Sequence, residues 1–400
     1  MNFKWFLVPA LLLVSAVNVS AQDVTENSFG KGLINIVAKD SSYSMRFAAR
    51  FQSLYTSQWE FPEYGEFESG ESNFLIRRAR LKFDGFAYTP KLKYKIELGL
   101  SNRDLSGTSV YTGNAPRMIL DAVVKWNFHE NFELWAGQTK LPGNRERVIS
   151  SANMQTVDRS LVNSRFNVDR DMGVQLHHFF EFGNGIFIRE SFAFSQGEGR
   201  NVTIGNLGGY QFTGRAEIFP FGNFDAYVGS DLKRHQTPKL AVGASFDHNS
   251  GAVRARSNSG TYMINDSGFF ETDINTFFLD AMFKYQGFSF MGEYANRTAE
   301  DAVAMNSDGT PTGDVVNVGD GLNLQAGYVF KNNYEVVGRY TNISLDEGIT
   351  GLGVETQYTV GLSKYIVGHK LKIQTDLSLN DYEDNQDNSL MYRLQFDIHF

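Results

Sequence analysis

One stretch of this chain concentrates residues able to hold an oxyanion. Between residues 140 and 170 stand Lys140, Arg145, Arg147, Arg159, Arg165 and Arg170, against only Glu146, Asp158 and Asp169. The chain as a whole is acidic, with a formal net charge of -8, so a basic stretch marks a position rather than a composition. A guanidinium is planar, stays charged, and donates paired hydrogen bonds that match the oxygens of carboxylate or phosphate. Other long polar stretches have the opposite character: "EFPEYGEFESGES" and "AEDAVAMNSDGTPTGD" contain no basic residue. Two roles compete within the basic stretch. Arg159 and Arg170 lie beside Asp158, Asp169 and Asp171, so they serve equally well as clamps, because a buried arginine needs a partner. Arg145, Arg147 and Arg165 are the stronger candidates for contact with a solute.

The elements that must position this stretch show a two-residue alternation of apolar and polar side chains, the period of a strand with one greasy face. "SMRFAARF" sets Met45, Phe47, Ala49 and Phe51 against Arg46, Arg50 and Gln52. "LIRRARLKFD" sets Leu75, Ala79, Leu81 and Phe83 against Arg78, Arg80, Lys82 and Asp84. "KLKYKIELGL" puts Lys91, Lys93, Lys95 and Glu97 opposite its apolar residues, and the closing "MYRLQFDIHF" alternates through Tyr392, Leu394, Phe396, Ile398 and Phe400.

Connections alternate as well. Short ones hold Gly, Pro or Asn ("YTPK", "FHEN", "FGNG", "YQG", "FKNN", "VGH"), and long polar ones fall near 58–72, 102–116, 140–170, 197–209, 249–273, 298–320, 345–353 and 382–388. Tight turns at one rim and long loops at the other are the mark of an up-and-down membrane barrel. Seventeen segments qualify as strands at first count. Direction then decides: if "NFDAYVGSDLKRH" were a strand, Leu240–Phe246 and Thr276–Tyr285 would both descend, and no long-rim loop could join them. Reading it as an extended inner turn leaves sixteen, an even number, as a bacterial barrel requires.

The sequence therefore predicts an all-β fold, a 16-stranded antiparallel transmembrane β-barrel over residues 43–400. Ahead of it, Lys4, the apolar run "WFLVPALLLVSAVNV" and the small residues ending at Ala21 read as an export signal (1–21), followed by an N-terminal periplasmic segment (22–42). There is no cysteine, which excludes disulfides, thiolate metal sites and thiol catalysis. The negative charge carries no signature of nucleic-acid binding. "GEGRNVTIG" lacks the strand-to-helix context of a nucleotide fingerprint, and His177 and His178 are adjacent on a strand and point apart, so they cannot share a metal. "NDYEDNQDN" lacks the ligand spacing of a calcium loop. No metal or cofactor is expected, and no nucleophile, base and orienter stand together.

In order along the chain, "FLIRRARLKFDG", "WAGQTKLPGNRE", "VDRSL", "DRDMGVQL", "PKLAVGASFD" and "FSFMGEYANR" resemble the phosphate-selective porin O and P family. The resemblance covers essentially the whole mature chain. It implies a trimer of such barrels, set in the lipid of a Gram-negative outer membrane, with the third long loop folded into each bore. It further implies basic side chains, on that loop and on nearby walls, handing anions inward. Alternation places Arg46, Arg50, Arg78, Arg80, Lys82, Lys93 and Lys95 on the inner face of the first three strands, with Arg189, Arg215 and Arg339 later. The inward acids Glu217, Asp247, Asp280, Glu293, Glu335, Glu355, Asp376 and Asp397 fall on later strands, which predicts a field across the channel. The expected function is passive diffusion of small inorganic or organic anions, phosphate among them. A general or sugar-type porin with weak ion preference is the alternative the mixed charge leaves open, followed by a barrel enzyme or an adhesin.

Overall fold

The computed structural model describes residues 28–61, 70–105, 117–383 and 387–400. The export signal expected at 1–21, much of "EFPEYGEFESGES" and part of the stretch 380–388 lie outside the described residues. Sixteen antiparallel strands, each bonded to the next, form the wall. They are β1 (Ser44–Phe61), β2 (Ser72–Ala87), β3 (Thr89–Gly99), β4 (Ile119–His129), β5 (Phe132–Lys140), β6 (Arg170–Phe182), β7 (Ile186–Ser195) and β8 (Gln211–Phe219). The circuit continues with β9 (Lys239–Ala252), β10 (Thr272–Tyr285), β11 (Phe288–Ala299), β12 (Gly319–Val329), β13 (Tyr334–Leu345), β14 (Glu355–Tyr365), β15 (Leu371–Tyr382) and β16 (Asn388–His399). The last strand pairs with the first, from Arg50↔His399 to Phe61↔Asn388, so the sheet has no open edge. A shorter strand, Ile34–Val37, pairs with the start of β1 and stands outside the sixteen.

The alternation sorts side chains as a membrane barrel must. Phe246, Leu279, Val336, Val360 and Phe396 point outward and are exposed, while Thr213, Asp247, Gln374 and Asp397 point inward and are buried. One irregularity matters for function. Gln52 faces Arg78 across β1 and β2, but Ser53 faces Ile76, so Arg77 is an extra residue, a β-bulge. Arg77 and Arg78 both reach the bore, and above the bulge Leu75, expected on the lipid side, lines the cavity as well.

The segment "NFDAYVGSDLKRH" forms no strand, and it does more than turn. It folds up into the bore, where Ala226, Ser230 and Asp231 are buried. Ser230 donates to Glu335 of β13 at 2.8 Å, and the Gly287 amide donates to Asp231 at 2.8 Å.

The third long loop enters the bore from the other rim. It carries two short helices, α1 (Arg145–Val148) and α2 (Leu161–Phe166), the second capped by Ser160, whose hydroxyl accepts from the Asn163 amide. Val162 and Phe166 of α2 pack with Leu141 and Val168 against inward-facing Ala193, Phe278, Ala295 and Ile343. A Cβ at Gly321 of β12 would lie 2.9 Å from the Phe166 ring and 2.8 Å from Ile343, so glycine there makes room for the helix. Burying a side chain such as Phe166 contributes roughly 1.5–3 kcal/mol. The hydrophobic effect thus pulls the loop against one half of the wall.

Candidate functional site

Polar contacts fix the loop where packing places it. Arg145 is fully buried, with Nε 2.6 Å from Asp280 and Nη2 2.8 Å from Glu217, and it donates to the Ala226 carbonyl of the inner turn. Burial alone would lower its pKa, but Asp280 and Glu217 outweigh that and raise it. At the tip, Gln155 donates to Ser289 and Glu335 and accepts from Gln325. The Val157 amide donates to Asp376, Lys372 donates to the Met154 carbonyl, and Arg339 donates to Thr156 and to the Asp158 carbonyl. The Glu146 amide and the Asn144 side chain share Glu293. The wall acids of β8 to β15 therefore hold the loop. The loop lies between those acids and the open space.

What stays open is a cavity of about 1050 Å³ between the loop and a wall made mainly by β1–β7, completed by Arg215 of β8, Gln357 of β14 and Met391 and Arg393 of β16. Among the described residues, thirteen lysines and arginines line it against six aspartates and glutamates. Arg80 bonds Asp104 at 2.7 Å and Glu97 at 3.1 Å; Lys95 bonds Asp121 at 2.7 Å; Arg170 also reaches Asp121, at 3.1 Å. From the loop, Arg147 pairs with Asp169 through Nε at 2.6 Å. Lys140 and Arg159 bond only uncharged carbonyls: Lys140 takes those of Arg147, Val148 and Ile149, and Arg159 those of Glu146 and Ile149. Both close the end of α1 through carbonyls alone, with Glu146 and Asp169 the acids near enough to act on Arg159. Burial and the neighbouring Arg147 push Arg159 down to about 9, which leaves it charged at neutral pH.

Six of the twelve expected site residues line this cavity: Arg78, Arg80, Lys95, Arg147, Arg159 and Arg170. The other six lie elsewhere. Arg145 faces away, toward the far wall, because that wall offers two buried carboxylates. Arg165 sits above on Glu355 at 2.8 Å, and Arg50 ties Asp397 (2.9 Å) to the loop through Ser151. Arg46 and Lys82 share Asp84 toward the short-turn rim, and Lys93 stays mostly exposed near Glu133. Arg189 and Arg215, read as inward on later strands, also line the cavity, and the residues the sequence reading missed are Arg77, turned inward by the bulge, Arg393 of β16, and Arg103 and Arg200 from neighbouring loops. Strict alternation would have found Arg393; the bulge leaves no sequence signal. His177 and His178 do point apart, the first toward Trp135 in the bore and the second toward Phe132 outside.

Several solved barrels share this architecture. An anion-selective porin from Comamonas acidovorans superposes with a TM-score of 0.54 at 13% identity, over 90% of this chain and 100% of that one. Salmonella typhi OmpF in complex with daunomycin gives 0.55 at 13% over 91% and 100%, and OmpT of Vibrio cholerae, in its trimer form, gives 0.52 at 11% over 90% and 100%. At such identities the likeness is one of fold. No curated protein sequence matches. The model of the family described as phosphate-selective porin O and P matches residues 49–398, nearly all of the barrel. A closed sixteen-strand wall, a loop lodged in the bore and a match of that length agree: the chain belongs to the phosphate-selective porin O and P family and is a porin of the Gram-negative outer membrane.

Proposed function

We propose that this porin passes small anions down their gradient, with the basic eyelet setting the preference and phosphate as the candidate solute. The observation that carries this reading is that, among the described residues lining the cavity, cations outnumber acids thirteen to six, although Arg189, Arg215 and Arg393 also pair with Glu217, Asp280 and Asp376 behind the lining. A single uncompensated charge at about 4 Å is worth roughly 1 kcal/mol in bulk water and about 4 kcal/mol at the effective dielectric near a protein surface. Rings of positive side chains select anions on this ground. Nothing covalent is needed for such passage, and family and fold suggest a channel rather than an enzyme. Homotrimeric assembly is part of the same proposal.

The test is a reversal potential in planar bilayers under a KCl gradient. Chloride should outrun potassium about tenfold, the ratio that roughly 1.4 kcal/mol supports, and added phosphate should block chloride current. A preference for potassium would overturn the reading. The interleaved acids Glu97, Asp104 and Asp121 favour a second reading, a general porin with weak preference. Near-equal permeabilities without phosphate block would select it.

A further inference from the structure

Below the eyelet, toward the short-turn rim, four neighbouring strands place one slanted row of side chains on the bore. Lys125 of β4 faces Trp135 of β5, Trp135 faces Gln175 of β6, and His177 of β6 faces Ser191 of β7. The Lys125 ammonium sits 3.3 Å from the centre of an indole ring, and the His177 ring lies 3.9 Å from the indole at a tilt of 31°. These two partners come from strands on opposite sides of β5, so both faces of the indole are covered. The polar atoms are engaged within the wall as well. Trp135 Nε1 donates to Glu133 at 3.0 Å, while His177 is engaged by Gln175 at 3.0 Å and by Ser191 at 2.9 Å. What the two rings present to the bore is their C–H edges, and both residues line the open cavity.

The row stands where a solute has to pass. The far half of the bore is filled from one rim by the third loop and from the other by the inner turn, which meet where Gln155 and Ser230 both donate to Glu335. The open way toward the short-turn rim therefore runs along the wall that carries Trp135 and His177. Arg189 lies on it too. Register sets Ser191 opposite His177 and Arg189 opposite Phe179, so Arg189 is one inward step nearer the rim, about 7 Å along the strand. Its guanidinium stacks 5.0 Å from the Phe219 ring and 5.6 Å from the Tyr227 ring, and bonds Glu217 at 3.3 Å.

An aromatic ring is negative on its face and positive around its edge, so an edge favours the π face of another ring. A sugar, which lays its C–H groups on an aromatic face, finds the indole faces already covered. We propose that the Trp135–His177 row is a recognition subsite for a flat aromatic ring bearing an acidic group, its π face meeting the two edges and its acid group reaching Arg189. This rests on the anion reading above and narrows the solute from small anions in general to aromatic organic anions.

The experiment titrates chloride current in planar bilayers with benzoate and, separately, with cyclohexanecarboxylate, which has the same charge and nearly the same size but no π face. Benzoate should half-block the unmodified porin at a concentration roughly twofold to tenfold lower, the span that aromatic pairing supports. Equal block, or tighter block by the saturated acid, overturns the proposal. In His177→Leu the two acids should come level, and an unchanged ratio overturns it as well. Should the leucine variant not assemble, Trp135→Phe decides: its shorter edge should reduce the ratio, and no reduction rejects the subsite. Block by maltose tighter than by benzoate would mean an open ring face, and a sugar site in its place. The reversal potential is read separately, so that a potassium preference rejects the anion reading on its own. Benzamide against cyclohexanecarboxamide, a neutral pair of the same shapes, then tests the ring row alone, and equal block rejects it.

Discussion

The two halves of the bore are built from the same residue types and do opposite things. On the far half, β8 to β15, carboxylates and the loop interlock, and Arg145 is closed off between Asp280 and Glu217. On the near half, β1 to β7, arginines share fewer acids and face open space, with Lys140 and Arg159 held only by carbonyls. The difference lies in whether the acceptors around a cation are used up. A fully matched arginine is a fastener, and an under-matched one facing water is a binding group.

The strongest way to break this contrast is to unfasten the far half. Arg145→Ala removes one cation from a buried group and leaves Asp280 and Glu217 with Arg215, Arg189 and the Tyr227 hydroxyl beside them. Breaking a buried pair from one side costs about 3–5 kcal/mol. The loop should detach, with unitary conductance rising several-fold and residues of the loop becoming open to protease. An unchanged conductance would mean that packing alone holds the loop.

A milder perturbation of the same half is Gly321→Val. The new side chain would press on Phe166, Val162 and Ile343, and overpacking of this kind costs about 1–3 kcal/mol. Open-channel noise should rise and the heat-induced unfolding temperature should fall, with ion preference little altered. The near half predicts the converse. Arg80→Gln with Arg170→Gln removes two lining cations and leaves Asp104 and Asp121 under-neutralised. The chloride-to-potassium ratio should drop several-fold, measured by reversal potential, while conductance stays within about twofold.

The sheet was legible because a lipid-facing wall imposes one period throughout, and β16 shows it from Tyr392 to Phe400. Chain direction was legible too, since treating 223–235 as a turn was the only way to keep neighbouring strands antiparallel. That this turn fills the bore was not, because burial of Ala226 and Asp231 depends on the loop that meets them from above. The site was half legible. Arg80, Lys95 and Arg170 follow from alternation and position, whereas Arg77 depends on one extra residue in β2, which shifts no residue type and leaves no periodic trace. Arg145 could be placed on the loop but not against a wall, because its partners Glu217 and Asp280 lie 72 and 135 residues away in sequence.

The smallest expected effect is a plateau in pH. Asp158 and Asp169 are loop carboxyls that burial would raise, but the arginines around them, led by Arg77 for Asp158 and Arg147 for Asp169, hold both well below the ordinary range. A carboxyl depressed in the folded state stabilises it fully above its unfolded value, about 3.9, and that contribution fades only as pH falls through the lower folded value. Neither of these two carboxyls should therefore change conductance or ion preference between about pH 8 and about pH 4. Only as pH nears those much lower folded values does protonation free Arg77 and Arg147 from their partners, and chloride preference should then rise before the loop lets go, since Arg145 on the far half still holds. A change in preference between about pH 6 and pH 5 would mean that some other group controls the eyelet, because neither carboxyl titrates in that window.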